Sequence, residues 1–171
     1  STADVEGDGD LDLFLAVVEG RNRLYLNDGT GIFTDVTESS GLVDEALPTM
    51  GGSWGDMDGD GDLDLFVSNH GSNQSPKTRP PYPGSKNRLY ENQGGVFVDV
   101  SERLSEDDLT GYTFLGGWLD LDGDGDQDLQ IVNDFGQDII PNRVLINDGS
   151  GQFSADEDSD LAVAGEAMGL G

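Results

Sequence analysis

Asp56-Met57-Asp58-Gly59-Asp60-Gly61-Asp62-Leu63-Asp64 sets five carboxylates in nine residues around two glycines. Anions held a few ångströms apart repel by about 1 kcal/mol per pair even in bulk water, so a turn that gathers them calls for a counter-cation. A hard divalent ion taking six to eight oxygens at roughly 2.3–2.6 Å suits it, and calcium tolerates irregular loop geometry better than magnesium. The run recurs as Asp120-Leu121-Asp122-Gly123-Asp124-Gly125-Asp126-Gln127-Asp128 and, altered, as Asp4-Val5-Glu6-Gly7-Asp8-Gly9-Asp10-Leu11-Asp12. Candidate Ca²⁺ ligands are therefore Asp4, Glu6, Asp8, Asp10 and Asp12 in the first loop. Asp56, Asp58, Asp60, Asp62 and Asp64 are their counterparts in the second, and Asp120, Asp122, Asp124, Asp126 and Asp128 in the third. Side chains at positions one, three, five and nine supply oxygens, and the backbone carbonyl of the seventh residue, Asp62 in the second loop, adds another.

The sequel to each loop decides its type. An EF-hand closes with a bidentate Glu at position twelve and enters a helix, whereas position twelve here is Val67 or Ile131. Leu63-Asp64-Leu65-Phe66-Val67 alternates and reads as a strand, so the loop joins strand to strand. Solvated Asp-Gly turns are the bland alternative, and three copies in one phase argue against it.

A second marker accompanies each loop: Asn22-Arg23-Leu24-Tyr25-Leu26-Asn27, Asn87-Arg88-Leu89-Tyr90-Glu91-Asn92 and Asn142-Arg143-Val144-Leu145-Ile146-Asn147. From Asn22 to Asp56 is 34 residues and from Asn87 to Asp120 is 33, while Asp4 to Asn22 is 18, Asp56 to Asn87 is 31 and Asp120 to Asn142 is 22. Length therefore varies just after the strand that follows each loop, where surface insertions are tolerated. The second unit reads as four strands, about 49–55, 63–69, 87–92 and 96–100, with 101–109 a short helix-tolerant connector. Asn-Asp-Gly at 27–29 and 147–149 signals hairpins. Repeats of about 50 residues with four strands each predict an all-β fold of antiparallel propeller blades. The units run approximately 1–48, 49–111 and 112–164, with a next blade starting at 165–171. Phe33, Phe97 and Phe153, with Trp54 and Trp118, are expected between blades.

Gly52-Ser53-Trp54-Gly55-Asp56 running into Asp58-Gly59-Asp60-Gly61-Asp62-Leu63-Asp64-Leu65-Phe66-Val67 resembles the FG-GAP or VCBS-type repeats of integrin α-subunit propellers and secreted bacterial proteins. The resemblance implies a calcium-stabilised β-propeller, usually of seven blades, serving adhesion, ligand binding or assembly. Glu6 departs from the pattern and predicts a weaker first site. By that pattern a blade opens with the Gly-Gly-x-Trp strand; this chain opens at the loop, and Gly165-Glu166-Ala167-Met168-Gly169-Leu170-Gly171 resembles the missing strand. Two explanations stand: a fragment of a larger propeller, or three-blade chains that exchange that strand.

With 35 acidic and 8 basic residues the net charge is −27; three divalent cations, six charges, would bring it to about −21. Such a surface repels nucleic acid and anionic membrane. Adaptation to high salt would also raise acidity, but dispersed acids would not yield three phased ligand sets. There is no cysteine, and no apolar run approaches the ~20 residues that span a bilayer. Calcium in place of disulfides suits an extracellular, periplasmic or cell-surface setting, where millimolar calcium fills weak sites.

Gly51-Gly52-Ser53-Trp54-Gly55 matches Gly-x-Ser-x-Gly, but that motif needs a strand-to-helix turn and a distant His, and the single histidine is His70. His70 reads as a loop residue, and Asn73-Gln74-Ser75 as a weak glycosylation signal. Residues 71–86 hold four of the six prolines with Lys77, Arg79 and Lys86, a cationic, semi-rigid stretch. It is either a tolerated insertion or a contact loop for a protein or glycan, with Arg79 and Tyr82 as anchors. Alternation of strands puts the calcium loops and hairpin turns at one end of each blade and this stretch at the other. The function expected is a non-enzymatic interaction or assembly module, for adhesion or subunit binding. The alternatives are the propeller of a secreted polysaccharide-active enzyme and a lectin.

Overall fold

The computed structural model describes residues 1–18, 20–42, 46–70, 85–134 and 140–162. Twelve strands form three four-stranded antiparallel sheets, each ordered as in the chain. The first contains β1 (Thr2–Ala3), β2 (Asp12–Leu15), β3 (Arg23–Asn27) and β4 (Phe33–Asp35). The second contains β5 (Thr49–Gly55), β6 (Asp64–Asn69), β7 (Arg88–Asn92) and β8 (Phe97–Asp99), and the third β9 (Tyr112–Leu119), β10 (Asp128–Asp134), β11 (Arg143–Asn147) and β12 (Phe153–Ala155). The fold is all-β and blade-like, and no sheet closes on itself. The 101–109 connector is a 3₁₀ turn, Ser101–Arg103, followed by α1, Glu106–Leu109, which is held by a capping box between Ser105 and Asp108.

The blades stack face to face, and β6 shows why its six residues are all buried. Successive side chains of a strand point to opposite faces. Leu65 and Val67 join a cluster with Val5, Phe14, Leu24, Tyr90 and Phe97 between the first and second sheets, while Phe66 joins Met57, Leu89, Leu129, Ile131 and Leu145 between the second and third. Each such side chain stabilises the fold by about 1.5–3 kcal/mol when withdrawn from water. Trp118 stacks beside Phe153 at 6.2 Å and donates its Nε1–H to the Ser53 carbonyl at 3.3 Å. Trp54 meets Phe14 edge-on at 6.2 Å and Phe97 at 5.9 Å, and donates to Ser1 Oγ.

Polar cross-links run between the same faces. The Asn22 Nδ2–H donates to Thr49 Oγ1 at 3.0 Å and the Thr49 hydroxyl to Asn69 Oδ1 at 2.7 Å. One blade on, Asn87 donates to Thr113 at 2.8 Å and Thr113 to Asn133 at 2.8 Å. The Arg143 Nε–H of β11 reaches Asp108 Oδ1 of the preceding blade's α1 at 2.8 Å, and its Nη1 reaches Glu157 at 2.8 Å. The charge-assisted bond adds to the neutral ones at this junction.

Two expectations are corrected. The chain does not open at the loop: Thr2 and Ala3 pair with Leu13 and Asp12 as a short first strand. Phe33 is not core but 47% exposed, whereas Phe97 is buried. Thr2 stands two residues before Asp4, where Trp54 and Trp118 stand before Asp56 and Asp120, so Phe33 lacks the indole on which its counterparts pack. Residues 165–171 lie outside the described part.

Close sheet-to-sheet approach depends on Gly52 of β5 and Gly116 of β9. A Cβ built on Gly116 would sit 2.3 Å from Phe66 Cδ1, and one on Gly52 would sit 2.7 Å from Phe14 Cδ1. Gly116→Ala is accordingly expected to lower urea-unfolding stability by about 1–3 kcal/mol through overpacking against a fully buried ring. Gly51→Ala, where a Cβ meets nothing within 4 Å, should stay within about 0.5 kcal/mol of the parent.

Candidate metal centre

Each acidic loop bends through two glycines with φ between +71° and +102°, Gly59 and Gly61 in the second copy, where a Cβ would be strained. The bend lets loop amides donate into the carboxylates. In the second loop Gly59 and Gly61 N–H donate to the two oxygens of Asp56 at 2.8 and 3.1 Å, and Asp62 N–H to Asp60 Oδ1 at 2.8 Å. The third loop repeats this with Gly123 to Asp120 at 2.8 Å, Asp124 to Asp122 at 3.1 Å and Asp126 to Asp124 at 3.0 Å. The first does so with Asp8 and Gly9 to Asp4 and Asp10 to Asp8.

Two acid triads result. One carboxylate oxygen each from Asp56, Asp58 and Asp64 lies within 4.8 Å of the others, and likewise for Asp120, Asp122 and Asp124. Two oxygens on one calcium ion, each at roughly 2.3–2.6 Å, can be at most about 5 Å apart, so either triad is within reach of a single ion. The donors are all hard oxygens, which suit calcium, magnesium or manganese and not the softer thiolate-seeking metals. Asp60 and Asp128 stand outside these triads, and the first loop's Asp4, Glu6, Asp8, Asp10 and Asp12 form no comparable group among the described residues.

Electrostatics follow the packing. Burial, which outweighs the Asn92 and Met57 N–H bonds, pushes the Asp64 carboxyl up to about 7, with the charges of Asp58 and Asp60 adding to it. Burial and then Asp60 raise Asp58, and burial and then Asp8 raise Glu6. These are the carboxylates whose charged forms a cation would relieve.

Positions seven and nine do work that the residue pattern alone conceals. Asp62 Oδ2 accepts the Gly94 N–H at 3.1 Å, and Asp10 and Asp126 press against Gly29 and Gly149 so closely that a Cβ there would meet their Oδ2 at 2.3 Å. The seventh side chain thus faces the hairpin turn of its own blade, leaving its backbone carbonyl as its route to a metal. The ninth, Asp12, Asp64 or Asp128, is buried and accepts two backbone donors at once. Asp64 takes Met57 N–H and Asn92 N–H, both at 2.8 Å, and Asp128 takes Leu121 N–H at 2.7 Å and Asn147 N–H at 2.8 Å. Asp12 does the same with Val5 and Asn27.

Sequence reading missed the residues behind the loops. Asn92 Nδ2–H donates to the carbonyls of Leu63 and, across the junction, Val5; Asn147 does so to Gln127 and Met57. Their signal was the second Asn of the marker, constant in all three units, read only as a strand end. Ser53 lies within β5, away from any strand-to-helix turn. His70, just beyond β6, packs on Tyr112 and Phe114 with Nε2 3.7 Å from Asp134. Arg79 and Tyr82 lie outside the described residues.

Asp128 ties two backbone donors and lies outside its triad, whereas Asp58 belongs to one. In metal-free buffer Asp128→Asn, which must turn an amide N–H toward a backbone donor, is expected to cost about 1–3 kcal/mol in chemical unfolding. Asp58→Asn, which removes a charge that the fold disfavours, should leave metal-free stability unchanged or slightly raised. Equal losses in the two variants would contradict this division of labour.

A comparison with curated proteins finds no match. A comparison with protein families matches residues 4–67 to the one described as FG-GAP-like repeat, a span from the first residue of the first acidic loop through the strand that follows the second. This stretch, 64 of the 171 residues, is similar to the FG-GAP-like repeat.

Proposed function

We propose that this chain is a calcium-stabilised interaction or assembly module that works outside the cytoplasm, with a protein or glycan partner and other subunits of a surface assembly as its natural class of ligand. The observation that carries the reading is the pair of all-oxygen triads, Asp56/Asp58/Asp64 and Asp120/Asp122/Asp124, in loops whose own amides hold the acids in place. The cation would be held by those side chains and by the seventh-residue carbonyl, and would supply charge neutralisation rather than chemistry. With a net charge of −27, neutralisation matters: uncompensated like charge destabilises a compact state.

The strand order supports a division between two ends. The acidic loops and hairpin turns gather at one end of each blade, and the connection after β6, between His70 and Ser85, leaves from the other. In this reading calcium stiffens the first end and the opposite end faces the partner. No helix among the described residues is long and apolar enough to cross a membrane.

Calcium at 100 times its dissociation constant adds about 2.7 kcal/mol per site when it binds the folded chain alone. The melting temperature should therefore rise through the millimolar range of CaCl₂ and fall again with chelator. Asp58→Ala should remove about half of that rise, and the double variant Asp58→Ala/Asp122→Ala most of it. A melting temperature indifferent to calcium and chelator at low salt would defeat the calcium reading.

A further inference from the structure

The second acidic loop is gripped from the following blade at the two residues where it begins. The Asn147 Nδ2–H of β11 donates to the Met57 carbonyl at 2.7 Å across 90 residues of chain, and the Asp56 N–H donates to Gln127 Oε1 of the third loop at 2.9 Å across 71. Asp56 and Met57 are positions one and two, so both bonds act beside the first ligand. Trp118 of the same blade lies over Gly55, immediately before them, so closely that a Cβ there would meet its ring at 2.4 Å. Met57 is fully buried in that junction.

The first two loops differ in what they receive from the blade that follows. The first receives one such bond, from Asn92 Nδ2–H to the Val5 carbonyl at 3.1 Å, and it lacks the second because Leu63 occupies the place that Gln127 takes one blade later. No three of its acids bring oxygens within 4.8 Å of one another, although Asp8 lies close enough to Glu6 to raise it. The second receives both bonds, and its triad includes the buried Asp64. The loop that the next blade holds by both bonds is thus the one whose triad includes its buried ninth residue.

We propose that Asn147 and Gln127 are positioning residues for the 56–64 metal site, so that cation binding there and docking of the third blade onto the second are one coupled equilibrium. This rests on the calcium reading above. A ligand set held by preorganised neighbours loses less freedom on binding, and residues behind a metal's ligands change affinity by about 10–100-fold when removed. Linkage makes the effect reciprocal: whatever Asn147 contributes to cation affinity, the cation returns to the blade junction.

The test uses the whole chain with Asp8→Asn and Asp122→Asn, which leaves 56–64 as the intact acid set. Calcium is titrated by calorimetry, and Trp fluorescence is followed because Trp118 reports the junction beside the site. Adding Asn147→Ala should weaken calcium binding at least tenfold and uncouple the fluorescence change from occupancy. Adding Gln127→Leu, the residue that the first two loops carry at this position, should weaken it about threefold while leaving the circular dichroism unchanged. That milder variant decides the matter if Asn147→Ala does not fold. If the parent binds calcium and Gln127→Leu binds it equally well with the same fluorescence response, the proposal is overturned and the calcium reading stands. If the parent binds none, both fall.

Discussion

A buried carboxylate shared by two backbone donors is the constraint on which every blade depends. Asp12, Asp64 and Asp128 each take one N–H from the second residue of their own loop and one from the last residue of the third strand. A buried backbone donor left unpaired costs about 1–3 kcal/mol, so the bond fixes where the loop turns back and which residue of the neighbouring strand lies beside it. Once that return is fixed, the glycines carry the chain through left-handed conformations and amides of residues four to seven point inward at the earlier acids. The acid set is therefore assembled by backbone amides before any cation is considered. This is why the same carboxylates can be crowded in the folded chain with their charged forms disfavoured, as at Asp64 and Asp58.

Between blades the forces differ in reach. Phe14, Phe66 and the two tryptophans supply non-directional attraction, and the glycines opposite Phe14, Phe66 and Trp118 let it act at short range. Directional bonds then settle the register: Asn22 to Thr49, Asn87 to Thr113, Asn92 to Val5, Asn147 to Met57. Each joins groups whose alternative partners are lost with water, so a slipped junction would leave several buried polar atoms unsatisfied at once. The junction is apolar in energy and polar in specificity.

Much of this was legible in the sequence because it is periodic. Phased acids, glycines and alternating apolar residues announced four strands per unit, and β5 spans 49–55 as the pattern indicates. What stayed hidden is what depends on a neighbour far along the chain. Nothing local distinguishes Asp62, turned toward Gly94, from Asp58, turned into the triad, since both are alternate acids of one run. Asn147 reads as a strand end until its partner 90 residues away is known. Phe33 was misjudged for the same reason: its type indicates core, but its burial depends on an indole that Thr2 replaces.

The unequal spacing of the repeat has a physical origin in these bonds. The stretch from the marker Asn to the next acidic loop differs by one residue between the two units, 34 against 33, and within it Asn22 reaches Thr49 and Asn87 reaches Thr113 to join one blade to the next. The stretch after the second strand is free to vary because one bond closes it whatever its length. Val17, Asn69 and Asn133 N–H each donate to the marker Asn Oδ1 at 2.9 Å, across 5, 18 and 9 residues respectively. Loop-closure entropy grows only as (3/2)RT ln n, so stretching the gap from 5 to 18 residues costs about 1.1 kcal/mol, comparable to one net hydrogen bond. The marker Asn that closes the variable connection through its Oδ1 is the residue that reaches the next blade through its Nδ2, so both features share one end of the blade, opposite the acidic loops. New recognition surface can therefore be added at that end without disturbing the acidic loops.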